Sequence, residues 1–122
     1  MAEMHNNNPP TENEISAFLN HIDFKLPDNF IDFFRKANGS EINKSQDYIV
    51  LWPIRDIIDL NKKYNVELFA PGFFIFGSDG GGTAYAIEKD SGNVYDIPFI
   101  GMSKDDAVLK NKSFLDFINS LG

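Results

Sequence analysis

Hydrophobic positions along this chain change their spacing several times, and each change marks an element. Phe73-Phe74-Ile75-Phe76 is an unbroken apolar run bounded by Pro71-Gly72 and Gly77. It is too short for a helix and predicts a strand covered on both faces. Thr83, Tyr85 and Ile87 then alternate with Ala84, Ala86 and Glu88, the period of two that a strand imposes by pointing successive side chains to opposite faces. Val94, Tyr95, Asp96 and Ile97 predict a third strand, ended by Pro98, which lacks the backbone donor a ladder needs. Ser78-Asp79-Gly80-Gly81-Gly82 and Lys89-Asp90-Ser91-Gly92 are the turns between them.

Elsewhere the spacing is helical. Thr11 and Glu14 match a capping box, followed by Ile15, Phe18, Leu19 and Ile22 on one face. A second helix is expected to open at Leu26-Pro27-Asp28, to bury Phe30, Phe33, Phe34 and Ala37, and to stop at Asn38-Gly39. Residues 40–47 are polar and predict at most a short strand, whereas residues 48–52 are apolar and β-branched or aromatic, hence a strand. Pro53 starts a third helix carrying Ile54, Ile57 and Ile58, and residues 65–71 return the chain to the central strands. Residues 101–112 read as a polar, acidic connector; Ser113 and Asp116 then cap a last helix with Phe114, Phe117, Ile118 and Leu121 on its face.

Consecutive strands with short turns, and helices gathered before and after them, predict an α+β fold: an antiparallel or mixed sheet with a central meander and helices packed on one face. The other face or its rim is expected to be free to meet a partner. The length of 122 residues predicts one domain over residues 11–122, after a disordered, Asn-rich lead-in over residues 1–10. Twelve Phe against four Tyr and one Trp make an aromatic core the expectation.

Composition narrows the chemistry. No cysteine means no disulfide, no thiolate nucleophile and no Cys-based zinc site. With no secretory leader pattern and no apolar run near the roughly 20 residues of a spanning helix, a soluble, cytoplasmic protein without membrane contact is expected. A formal net charge of −7 disfavours direct nucleic-acid binding, which rests on Lys and Arg neutralising phosphates, and instead suits a basic protein partner.

The glycine turn invites a phosphate-loop reading, and the spacing rejects it. A Walker loop ends in Gly-Lys-Ser/Thr and enters a helix; residues 77–82 contain no lysine and enter a strand. A dinucleotide fingerprint needs a third glycine where Tyr85 stands, and no helix N-terminus is at hand to hold a phosphate. Ser78 lacks the surroundings of a nucleophile elbow, because position 76 is Phe. His21, outside the lead-in that holds His5, has no metal-ligand spacing and suits a surface or capping role. No catalytic residue, metal or cofactor is therefore expected, and the residues alone point to a binding module.

Several segments together resemble one family. Leu26-Pro27, Asn38-Gly39, Leu51-Trp52-Pro53 leading to Asn61 and Tyr64, the run from Ile75-Phe76-Gly77-Ser78-Asp79-Gly80-Gly81-Gly82 through Thr83-Ala84-Tyr85-Ala86-Ile87, and Ser113-Phe114-Leu115-Asp116-Phe117-Ile118 are similar to the SUKH superfamily. The resemblance runs from Phe24 to the C-terminus. This superfamily includes fungal regulators of cell-wall assembly and many bacterial proteins regarded as immunity proteins of polymorphic toxin systems. The resemblance implies an α+β fold without a catalytic residue, and the short length favours the bacterial immunity type. It implies stoichiometric neutralisation of a cognate toxin domain, a basic nuclease fitting the acidic charge, with a cytoplasmic scaffold module as the alternative. The expected contact surface is the rim around Asp79, Glu88, Asp90 and Asp96, with Trp52 and Tyr95 as aromatic anchors.

Overall fold

The computed structural model describes residues 3–5, 8–44 and 47–121. Seven strands lie in sequence order in one antiparallel sheet: β1 (Glu3–His5), β2 (Glu41–Lys44), β3 (Asp47–Leu51), β4 (Phe73–Ser78), β5 (Thr83–Glu88), β6 (Val94–Pro98) and β7 (Val108–Asn111). The helices are α1 (Glu12–His21), α2 (Phe30–Ala37), α3 (Ile54–Lys63), α4 (Val66–Phe69) and α5 (Phe114–Ser120). The predicted α+β meander is present, and every strand pair is antiparallel.

The capping signals work as the sequence suggests. Thr11 Oγ1 accepts from Glu14 N at 3.1 Å and Glu14 Oε1 accepts from Thr11 N at 2.9 Å, closing the box that starts α1. Ser113 Oγ accepts from Asp116 N at 3.0 Å at the start of α5.

β4 is buried along its whole length and divides the apolar residues between two faces. Phe74 and Phe76 point to one cluster, with Phe18, Phe30, Phe34, Leu51, Ile54, Ile57, Tyr85, Ile87, Phe114 and Phe117. Phe30 and Phe34 stack at 4.7 Å between ring centroids, and Phe76 meets Phe114 and Phe117 edge-on at 5.6 and 5.4 Å. The core is aromatic, as twelve Phe predict, and these offset and edge contacts are the geometries that ring quadrupoles favour. Phe73 and Ile75 point the other way, into a smaller cluster with Val66, Ala70, Ala84, Ala86, Ile97 and Met102.

β4 also poses a hydrogen-bonding problem. β5 pairs along one edge, but β3 meets only Gly77 and Ser78 on the other, because Pro53 turns the chain into α3. The stretch left without a strand partner is closed by a side chain. Asn61 on α3 accepts from Ile75 N at 2.9 Å through Oδ1 and donates through Nδ2 to Ile75 O at 2.8 Å, so its amide takes the place of a neighbouring strand residue. Asn38, itself buried, holds the other end of α3: its Oδ1 accepts from Ile54 N at 2.7 Å, where Pro53 offers no side-chain cap.

Five expectations need correction. The lead-in over residues 1–10 is not simply disordered. Glu3–His5 pairs with the open edge of β2, whose backbone groups otherwise meet only water, and Asn8 O accepts from Asn38 Nδ2 at 3.0 Å; residues 1, 2, 6 and 7 lie outside the described residues. α2 begins at Phe30, since residues 27–30 first form a turn closed by Phe30 N donating to Pro27 O at 3.0 Å. Leu19 faces solvent at 46 % exposure although its spacing placed it on the buried face. The connector over residues 101–112 contains β7, which extends the sheet beside β6. The second sheet face is not left free either, because α4 and residues 99–107 lie over it.

Replacing Asn61 with Leu should leave two part-buried backbone groups of Ile75 without partners and lower stability by about 1–3 kcal/mol. Urea unfolding checks this, with Leu19→Ala as the reference that should shift stability by less than about 0.5 kcal/mol.

Candidate functional site

The two glycine-bearing turns sit at opposite ends of the β4–β5 hairpin. Residues 79–82 join the end of β4 to the start of β5, and residues 89–93 lie at the far end of β5. At about 3.3 Å per residue along a strand, roughly 17 Å of β5 separates them.

The first turn is held tightly. Asp79 Oδ1 accepts from Gly81 N at 2.8 Å and from Thr83 N at 3.2 Å, while Ser78 Oγ accepts from Gly80 N at 3.1 Å. Asp79 N donates to Thr83 O at 3.0 Å, and Phe99 N donates to Gly82 O at 2.9 Å, tying the segment after β6 to the turn. Its glycines do different jobs. A Cβ on Gly77 would lie 2.5 Å from Val50 O, so close passage of β3 excludes one there. Gly80 has φ of +80°, and a Cβ on it would lie 2.6 Å from Cδ2 of Tyr48. Gly81 and Gly82 have neither restriction: their φ values are not positive, a Cβ on Gly81 would make an ordinary 3.5 Å contact, and one on Gly82 would meet nothing within 4 Å.

Beside this turn, the hydroxyl of Tyr48 donates to Glu41 Oε1 at 2.7 Å. That hydrogen bond to a carboxylate, with some desolvation, holds the phenol above its usual pKa. Ile100, next to Phe99, is 92 % exposed.

At the opposite end, Ser91 Oγ donates to Glu88 Oε1 at 2.6 Å and Asp90 is exposed. Lys89 reaches back to Asp23, with Nζ 3.0 Å from Oδ1, and lies 5.4 Å from the centre of the Phe24 ring. An open cleft of about 590 Å³ lies nearby, lined in part by His21, Ile22, Lys62, Val66, Phe74 and Lys89. His21 does not turn toward chemistry; its Nδ1 donates to Ala17 O at 2.8 Å and so closes the last turn of α1. Among the described residues no group of three or more His, Cys, Asp or Glu is arranged to hold a metal ion. No helix among them is long and apolar enough to cross a membrane.

The residues expected to form one rim are therefore dispersed. Asp79 lies at one end of the sheet, Glu88 and Asp90 at the other, and Asp96 stands between them on β6 opposite Tyr85. Asp79 and Asp90 are too far apart to act together on one small substrate; paired catalytic carboxylates stand about 5–10 Å apart. Tyr95 and Trp52 both border the smaller apolar cluster, Tyr95 edge-on to Phe73 at 5.2 Å and Trp52 6.3 Å from Phe99. Both are half-buried. The chain distance between Asp79 and Asp90 concealed their separation, because a hairpin brings alternate turns to opposite ends.

Sequence reasoning missed Tyr48, Glu41 and Ile100 as surface features and read Asn61 only as part of a resemblance. One signal was available for Asn61: it lies seven residues after Ile54 on the apolar face, where a polar side chain calls for a buried partner.

A family model described as the SMI1 / KNR4 family (SUKH-1) matches residues 9–120. No curated protein matches the chain significantly.

The two kinds of glycine should separate in a stability measurement. Gly80→Ala should cost about 1–3 kcal/mol in urea unfolding, from positive-φ strain and displacement of the Tyr48 ring. Gly82→Ala should be neutral or stabilising by up to about 1 kcal/mol, since it only restricts the unfolded chain.

Proposed function

The chain belongs to the SMI1/KNR4 family (SUKH-1), and from that premise we propose that it is an immunity protein. It binds a cognate bacterial toxin domain, a nuclease, and neutralises it by stoichiometric blocking without chemistry of its own. The family match over residues 9–120 carries this reading, joined to the acidic net charge of −7.

Charge supports the choice of a basic partner. Eighteen Asp and Glu stand against eleven Lys and Arg, and a nuclease is basic where it grips phosphates. Opposite potentials raise the rate of encounter and reject neutral or acidic competitors. Blocking asks only for an interface of about 1,600 Å² in total over the toxin's active surface.

Co-expression with the toxin-like reading frame adjacent to this gene tests the reading. The protein should restore growth and co-purify one-to-one with the toxin domain, and raising salt from about 50 to 500 mM should slow association by about tenfold or more. Killing that is equal with and without the protein, together with no complex on a sizing column, would remove the immunity role and leave the scaffold reading.

A further inference from the structure

We propose that the partner seats on the β4–β5 turn, where the bare backbone of Gly81-Gly82 lies between Tyr48 and Ile100. This deepens the immunity reading and rests on it.

The turn is glycine-rich beyond its own needs. Gly77 and Gly80 are required by close approach and positive φ, yet Gly81 and Gly82 meet no steric or conformational demand from the rest of the molecule. Each such glycine still weakens the fold, because it frees the unfolded chain by about 0.5–1 kcal/mol relative to alanine. What glycine offers at an exposed position is backbone that another molecule can approach closely. Residues 80–82 are all exposed.

The chemistry facing outward is mostly that of acceptors; the N–H of Gly82 is a donor without a partner among the described residues. The N–H groups of Asp79, Gly80, Gly81 and Thr83 are all turned inward, to Thr83 O, Ser78 Oγ and Asp79 Oδ1. The carbonyls of Gly80 and Gly81 have no such partner among the described residues. The Asp79 carboxylate lies beneath them, and the Glu41 carboxylate stands beside Tyr48. Arg and Lys carry only donors, so an acceptor-rich, negatively charged strip fits a basic protein surface.

Apolar contact flanks the strip on both sides. Tyr48 covers Gly80 and is 37 % exposed; Ile100 follows Phe99, whose N–H is bonded to Gly82 O, and is 92 % exposed. The internal hydrogen bonds fix the turn before binding, so little conformational entropy is lost on docking. The surface is thus a rigid, acceptor-rich strip between two apolar side chains.

The test uses the catalytically inactivated toxin domain encoded next to this gene as the probe, with affinity read by calorimetry. Gly82→Trp places bulk where there is open space and should leave the melting temperature unchanged while weakening binding by about thirtyfold or more. Ile100→Arg, at an exposed position, should also weaken it by about tenfold or more without affecting folding. Asp90→Arg at the far end of the hairpin should change affinity by less than about threefold. If the wild-type protein binds and both Gly82→Trp and Ile100→Arg keep its affinity, this location is wrong while the immunity reading stands. If the wild-type protein itself does not bind, the immunity reading fails and this inference goes with it.

Discussion

A strand buried on both faces must find a partner for every backbone group, and β4 finds them from three sources. β5 supplies a ladder along one edge, β3 pairs with its last two residues, and the amide of Asn61 answers Ile75 where β3 has turned away. Trp52 N, donating to Phe76 O at 3.3 Å, closes the gap between them. Leaving these groups unpaired would cost more than most single packing contacts supply. The orientation of α3 across the sheet is fixed by that demand. Asn38 completes it from the other end by capping Ile54 N, so two asparagines bind α2, α3 and β4 into one unit.

The two sheet faces are built to different depths. On one, large aromatic side chains from β4, α2 and α5 interlock around Phe76. On the other, β5 contributes only Ala84 and Ala86, and the cover is the single turn of α4 with residues 99–107. Small side chains on β5 let that thin layer sit close to the sheet. Both faces are occupied, and at the ends of the hairpins rigid turns display backbone and charge.

Much of the fold was legible in the sequence. The apolar run Phe73–Phe76 in β4, the alternation in β5 and the capping box at Thr11 and Glu14 are local patterns, and each gave its element. β7 was not legible, because Val108 and Leu109 are exposed on an edge strand whose residues carry no alternation of burial. α4 is a single turn, too short for a helical period to register. Leu19 shows the limit of spacing itself: a position can lie near the apolar face and still reach past the last helix packed against it.

The sequence by itself determined the class of fold, the aromatic core, the acidic charge and the absence of any familiar catalytic motif, since each depends on composition or on residues close together in the chain. Only the tertiary structure decided where the carboxylates stand, sending Asp79 and Asp90 to opposite ends of one hairpin. It also separated glycines identical in the sequence, because what surrounds a Cα depends on strands far away in the chain. Gly77 and Gly80 are crowded by Val50 and Tyr48 of β3, whereas a Cβ on Gly81 would make only an ordinary contact and one on Gly82 would meet nothing within 4 Å.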